Sequence, residues 1–213
     1  MDHKLKEECI IVAKKQGIYD SCLSDLKYDE VVFDYYKFIY IINSEVIFDY
    51  KSVFDLNLSD KFLSDIIDWT DLSKSRFPDE FILKYSKYIQ PCILLVNHTL
   101  PEKILNHFIE NHPNDTSWFA ISFHQTLSEH FIEKYQLRLD WKSISIKQKL
   151  SENFILKFKD KVFWNLISKY QILSKEFISE NFSKININML IENKNSNLDE
   201  DFIESLMVIG KLI

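Results

Sequence analysis

One phrase is written three times in this chain at a spacing of 23 residues, and no other feature restricts the possible folds as tightly. The copies read Trp118-x-x-Ile121-Ser122-x-x-Gln125-x-Leu127-Ser128-x-x-Phe131-Ile132, then Trp141-x-x-Ile144-Ser145-x-x-Gln148-x-Leu150-Ser151-x-x-Phe154-Ile155, then Trp164-x-x-Ile167-Ser168-x-x-Gln171-x-Leu173-Ser174-x-x-Phe177-Ile178. A unit of this length is one supersecondary element. It cannot bury its apolar side alone and has to stack on copies of itself, so the chain reads as a repeat protein.

The spacing inside each copy is helical. Trp141, Ile144 and Gln148 fall at i, i+3 and i+7, along one side of a helix of about two turns, here called A. Leu150 and Ser151 then supply an apolar residue and a capping hydroxyl, and Ile155 stands where a hydrophobic staple needs it. A second helix, B, starts there with Phe154, Ile155 and Phe158 as its core positions. The +4 aromatic or aliphatic partner recurs as Phe81/Tyr85, Phe131/Tyr135 and Phe202/Leu206, while Phe177 is followed by Asn181 instead. Phe, Ile and Trp favour sheets, but their period here is three and four rather than two, and Gly17 and Gly210 are the only glycines available for tight hairpins. Two helices in 23 residues leave about one to three residues per turn.

Starts of helix B recur at Leu58-Ser59, Phe77-Pro78, Leu100-Pro101, Leu127-Ser128, Leu150-Ser151, Leu173-Ser174 and Leu198-Asp199. The first interval is short. The third holds an insertion at His112-Pro113-Asn114-Asp115, a loop by composition. Pro91 takes the Trp position of one unit, and the last unit, Ile185 to Ile213, lacks both Trp and Gln, as terminal repeats often do. Residues 1–57 do not carry the phrase and read as an N-terminal cap region, with residues 58–213 as the repeat array. Residues 4–15 suggest a short helix, and 31–53 fit either a β-hairpin or two buried helices of a degenerate repeat. The expected fold is therefore all-α, an α-solenoid of six to seven short two-helix units with a cap.

The phrase resembles the short W-x-x-I-S-x-x-Q-x-L-S-x-x-F-I helical repeats in open reading frames of large DNA viruses, bacteriophages and some AT-rich bacteria. The likeness runs over roughly residues 58–205 and is closest in the three central copies. The abundant Ile, Lys, Asn, Phe and Tyr suit such a genome. The resemblance implies an α-solenoid of viral or phage origin and carries over no catalytic residue.

With 213 residues and 46% hydrophobic content, the chain can bury a sizeable core. Its longest apolar runs are five residues, too short to span a membrane, and its charged start leads to no secretory segment, so a cytoplasmic protein is expected. Cys9, Cys22 and Cys92 show no metal or disulfide spacing. Two glycines cannot build a phosphate-cradling loop, and no cofactor is expected.

Candidate sites divide into three groups. His98, His107, His112, His124 and His130 lie within 33 residues and could hold a metal with Glu110 or Glu129, although no HExxH spacing occurs. The second group is the phrase itself. Trp118, Trp141 and Trp164, with Phe131, Phe154 and Phe177, read as packing between units; Ser128, Ser151 and Ser174 as N-caps; and Gln125, Gln148 and Gln171 as partners for carbonyls left open at the end of helix A. Charge forms the third group. Residues 20–80 hold 14 acidic and 6 basic residues, whereas Lys142, Lys147, Lys149, Lys157, Lys159 and Lys161 face only Glu152 and Asp160 in their stretch. These patterns point to a non-enzymatic protein that grips a macromolecular partner, a host protein or ribonucleoprotein. Given the resemblance to viral and phage repeats, an inhibitor of a host defence complex, such as an anti-CRISPR protein acting by occlusion, is the specific expectation. The alternatives are direct nucleic-acid binding through the six lysines and a metal-dependent enzyme on the histidines.

Overall fold

Serine hydroxyls mark the starts of three of the B helices in this chain. Ser128, Ser151 and Ser174 sit in extended backbone and accept from the N–H of Phe131, Phe154 and Phe177 at 3.1, 3.2 and 3.1 Å, which satisfies a donor that the first helical turn leaves open. The computed structural model describes residues 59–65, 69–74, 77–196 and 198–210, together with Glu8 and Ile11. Apart from Glu8 and Ile11, the cap region 1–57, with its possible hairpin at 31–53 and the helix expected at 4–15, lies outside the described residues. The helices are α1 (Asp60–Asp65), α2 (Trp69–Leu72), α3 (Asp79–Lys84), α4 (Pro91–Asn97), α5 (Glu102–Asn111), α6 (Trp118–His124), α7 (Glu129–Lys134), α8 (Trp141–Lys147), α9 (Glu152–Lys157), α10 (Trp164–Tyr170), α11 (Lys175–Glu180), α12 (Ile187–Ile191) and α13 (Glu200–Gly210). Every regular element among the described residues is a helix.

Contacts divide the chain into two units, Met1–Leu94 with His107–Asp115 and Leu95–Asn106 with Thr116–Ile213. The second unit is an all-α solenoid of repeated helix pairs. Its A helices, α6, α8, α10 and α12, pack one on the next in a row, and α7, α9 and α11 are the B helices between them. Ile121, Ile144 and Ile167 from the A helices and Phe131, Ile132, Phe154, Ile155, Phe177 and Ile178 from the B helices are buried. Each such side chain contributes about 1.5–3 kcal/mol of burial, so the repeated core outweighs the weak propensity of helices this short.

The connections are longer than the expected one to three residues because the helices stop early. At Gln148 the backbone turns extended, with φ −88° and ψ 147°, and α9 starts only at Glu152. Phe158 ends α9 with φ −111° and ψ 29°, and the chain adds one tight turn in which Lys161 and Val162 donate to the Phe158 carbonyl.

In the first unit Trp69 is buried. Its ring stacks on Tyr88 at 5.2 Å and meets Tyr85 at 5.7 Å, and its indole N–H donates to the Leu63 carbonyl at 2.5 Å. Ser73 donates to the Trp69 carbonyl and accepts from the Gln90 N–H, the arrangement that the serines of the second unit repeat.

Candidate docking face on the Trp helices

The polar residues of the phrase are occupied by the fold. Gln148 donates from its amide to the Ser122 and Gln125 carbonyls at 3.1 and 2.8 Å, and its oxygen accepts from the Leu127 N–H at 2.9 Å. Gln171 does the same to Ser145, Gln148 and Leu150, and Gln125 to Leu95, His98 and Leu100. Each glutamine therefore caps the helix A of the unit before it, leaving none of the three buried backbone groups bare. Asn193 continues the series with Ser168 and Gln171, but its shorter side chain turns its oxygen to the Asn195 N–H.

Two further ladders run beside this one. The buried hydroxyls of Ser122, Ser145 and Ser168 donate to the Trp carbonyl one turn earlier and accept from the backbone N–H of Asp140, Phe163 and Asn186 in the next unit. Glu102, Glu129 and Glu152, at the first position of their B helices, accept from the N–H of the next capping serine at 2.7, 2.5 and 2.6 Å. Glu8 holds Ser59 in the same way through N–H and hydroxyl. In the last step Lys175 replaces the glutamate and pairs with the carboxylate of the capping Asp199, which holds that carboxyl below its ordinary range.

The indoles are half-buried rather than sealed between units. Trp141 lies against Phe158 at 5.1 Å and Phe154 at 6.5 Å in its own unit, and its N–H donates to the Gln136 carbonyl. A cation covers the outer side of each ring: Arg138 over Trp118, Lys161 over Trp141 and Lys184 over Trp164, at 5.4, 5.5 and 5.0 Å. The indole sits at the rim of the core because the cation needs water on one side and the ring on the other.

The six lysines do not form one belt. Lys157 pairs with Glu133 at 2.6 Å, and Lys161 donates to Gln136 at 2.7 Å while covering Trp141. Lys159 is exposed in the turn after α9. Lys142 and Lys147 belong to α8 and Lys149 to the turn that follows it, all three exposed. The histidines likewise stay apart in role. His124 and His130 are exposed, and the rings of His107 and His112 lie 6.1 Å apart, where burial first and the neighbouring His112 second push the His107 pKa down. Among the described residues no three His, Cys, Asp or Glu side chains converge on a metal position. A shallow depression of about 550 Å³ is lined by Lys134 to Arg138 in the turn after α7.

What the fold leaves outside is a face of the A row. Phe119, Phe163 and Tyr170 are 59, 48 and 38% exposed, and Ile172 is exposed beside them in sequence. Phe119 stacks on Phe123 at 5.6 Å, and the Lys147 ammonium of the next A helix sits 4.4 Å above the Phe123 ring. Asn165 and Asn186, which occupy in the following unit the positions of Lys142 and Phe163, touch at 3.2 Å, so Lys142 and Phe163 are neighbours by the same stacking. Asp140 caps α8. Burial raises its pKa, but hydrogen bonds from the Ser143 hydroxyl and N–H outweigh that and hold it below the ordinary value.

Charge separates along the same division. The A segments 117–126, 140–149 and 163–172 carry Lys142, Lys147, Lys149 and Lys169 against Asp140, and Lys169 is paired with Glu192 at the end of α12, while Glu129, Glu133, Glu152, Glu176 and Glu180 all belong to the B helices. These rings escaped sequence reasoning because Phe119 and Tyr170 stand at unspecified positions of the phrase and Phe163 just before it, where residue type changes from copy to copy. The available signal was partial: Phe119 stands two residues before Ile121 and so on the far side of its helix, whereas Phe163 is the N-cap of α10 and Tyr170 its last residue, exposed at the two ends of the helix. No helix among the described residues is long and apolar enough to cross a membrane. Comparison with protein-family models, curated proteins and solved structures finds no match for this chain.

Proposed function

We propose that this chain is a non-enzymatic binding protein that docks a macromolecule on the exposed face of its A row. The single observation behind this reading is the division of labour within the repeat. The phrase residues are consumed by three ladders, the glutamine and Ser122/Ser145/Ser168 ladders buried and the glutamate ladder at the surface, whereas the variable positions of the A row leave rings and Lys142, Lys147 and Lys149 exposed. Repeat proteins bind through such variable positions on a constant scaffold, and aromatic residues flanked by charge are the side chains that carry affinity. The test is affinity capture from a lysate of the source cell with the wild-type chain and two variants. Lys142→Glu combined with Phe163→Ala should lose the captured partner, and Lys157→Ala combined with Lys159→Ala should keep it. Equal capture by both variants would refute the face.

A second reading rests on the acidic stretch 20–80, with 14 acidic against 6 basic residues, most of it outside the described residues. It would occupy the basic nucleic-acid channel of a host defence complex, as an anti-CRISPR protein acting by occlusion in the host cytoplasm would. Binding of that kind weakens as salt rises, so an affinity unchanged between low and high ionic strength counts against it.

A further inference from the structure

We infer that the occupant of the A-row face is a single-stranded nucleic acid, its phosphates met by Lys142, Lys147 and Lys149 and its bases stacked on Phe119, Phe163 and Tyr170. The inference deepens the docking-face reading above and rests on it. Three observations select this partner from others that a basic face could take. The first is charge: Lys142, Lys147 and Lys149 are exposed on the A row, and its two acids are engaged, Asp140 by Ser143 and Glu192, after α12, by Lys169. The second is the form of the apolar surface. Three of its exposed groups are flat rings, of which Phe119, at 59%, is the most open. An acidic protein would satisfy the lysines without needing ring faces; an unstacked base needs one, and every base has a π-face to offer.

The third observation is the interleaving. Lys147 from α8 reaches over Phe123 of α6, and the Asn165–Asn186 contact joins, one unit on, the positions that Lys142 and Phe163 hold, so the repeat sets a cation of one A helix against a ring of its neighbour. Adjacent packed helices lie about 8–10 Å apart, the scale on which helical-repeat proteins assign one nucleotide to one unit. A duplex hides its base faces in the stack, so it would meet the lysines only. Lys157 and Lys161, engaged with Glu133 and Gln136, take no part.

The experiment is fluorescence anisotropy of labelled oligo-dT, oligo-rA and a duplex of equal length with the full chain at about 50 and 200 mM salt. The expected result is binding of one or both single strands, stronger than of the duplex. Three lysine contacts predict a loss of roughly 20-fold across that salt range. Phe119→Ala with Phe163→Ala should weaken strand binding at least tenfold while leaving duplex binding unchanged, since each stacked base contributes about 1–3 kcal/mol. Lys142→Glu with Lys149→Glu should weaken both. All these positions are exposed, and an unchanged circular dichroism melt verifies the fold of each variant. The inference is overturned if neither strand is retained at low salt, if the duplex binds as well as the strands, or if the ring variant binds like wild type. If it falls in the first way while the face variants still abolish capture of a protein, the docking-face reading survives without it.

Discussion

Replacing Gln148 by leucine tests whether the glutamine ladder holds successive units together. Leucine fills nearly the same space but removes the donor for the Ser122 and Gln125 carbonyls and the acceptor for the Leu127 N–H, all in a site where Gln148 is 3% exposed. A buried donor left bare costs about 1–3 kcal/mol, and each of the two lost carbonyl bonds about 0.5–1.5 kcal/mol, so the expected destabilisation is about 2–6 kcal/mol. That is a large share of the roughly 5–15 kcal/mol that holds a domain of ordinary stability. Urea unfolding followed by circular dichroism and by tryptophan emission measures the loss, and hydrogen exchange localises it to the Leu127 amide. Gln148→Glu sharpens the test. A carboxylate can still accept from Leu127 but faces two carbonyls without a proton, so this variant should be worse than leucine at neutral pH and recover partly in acid. A cost below about 1 kcal/mol for Gln148→Leu, with Leu127 exchange unchanged, would refute the argument that buried backbone groups enforce the repeat.

Three further outcomes follow from the same geometry. Asn181→Phe restores the ring that Trp118 and Trp141 meet as Tyr135 and Phe158, and it should raise stability by about 0.5–1.5 kcal/mol in a urea titration, less what the lost Asn181 bond to the Phe177 carbonyl contributes. The folded pKa of Asp140 is depressed, so its contribution is present above the ordinary carboxylate pKa and disappears as pH falls through the folded value; the stability gap between wild type and Asp140→Asn should therefore close in acid, and a gap constant from neutral pH to strong acid would contradict this. Lys175→Glu sets a carboxylate against Asp199 and should lower the melting temperature, while adding Asp199→Ser rebuilds the glutamate-to-serine step seen from Glu152 to Ser174 and should recover it.

Much of this molecule is legible one helix at a time. The +3 and +4 spacing of Trp141, Ile144 and Gln148 and the staple around Ser151 locate α8 and α9, and the capping role of Ser128, Ser151 and Ser174 follows from Leu-Ser-x-x-Phe alone. These signals are local: a cap reaches its partner three residues on, and burial of Phe154 and Ile155 follows from their place on one helical stripe.

The sequence by itself determined a helical array, the starts of its B helices and the residues of its core, because those depend on contacts within a turn or two of the chain. Tertiary structure decided what lies 18 to 26 residues away: that Gln148 closes the preceding unit, that Ser145 holds the next one, that a cation covers Trp118, Trp141 and Trp164, and that the lysine run splits between an engaged pair and exposed lysines on the A row. Those partners are set by the offset at which one helix pair stacks on another. That offset is fixed only when the buried carbonyls and N–H groups of neighbouring units find each other, a condition no single copy of the phrase contains.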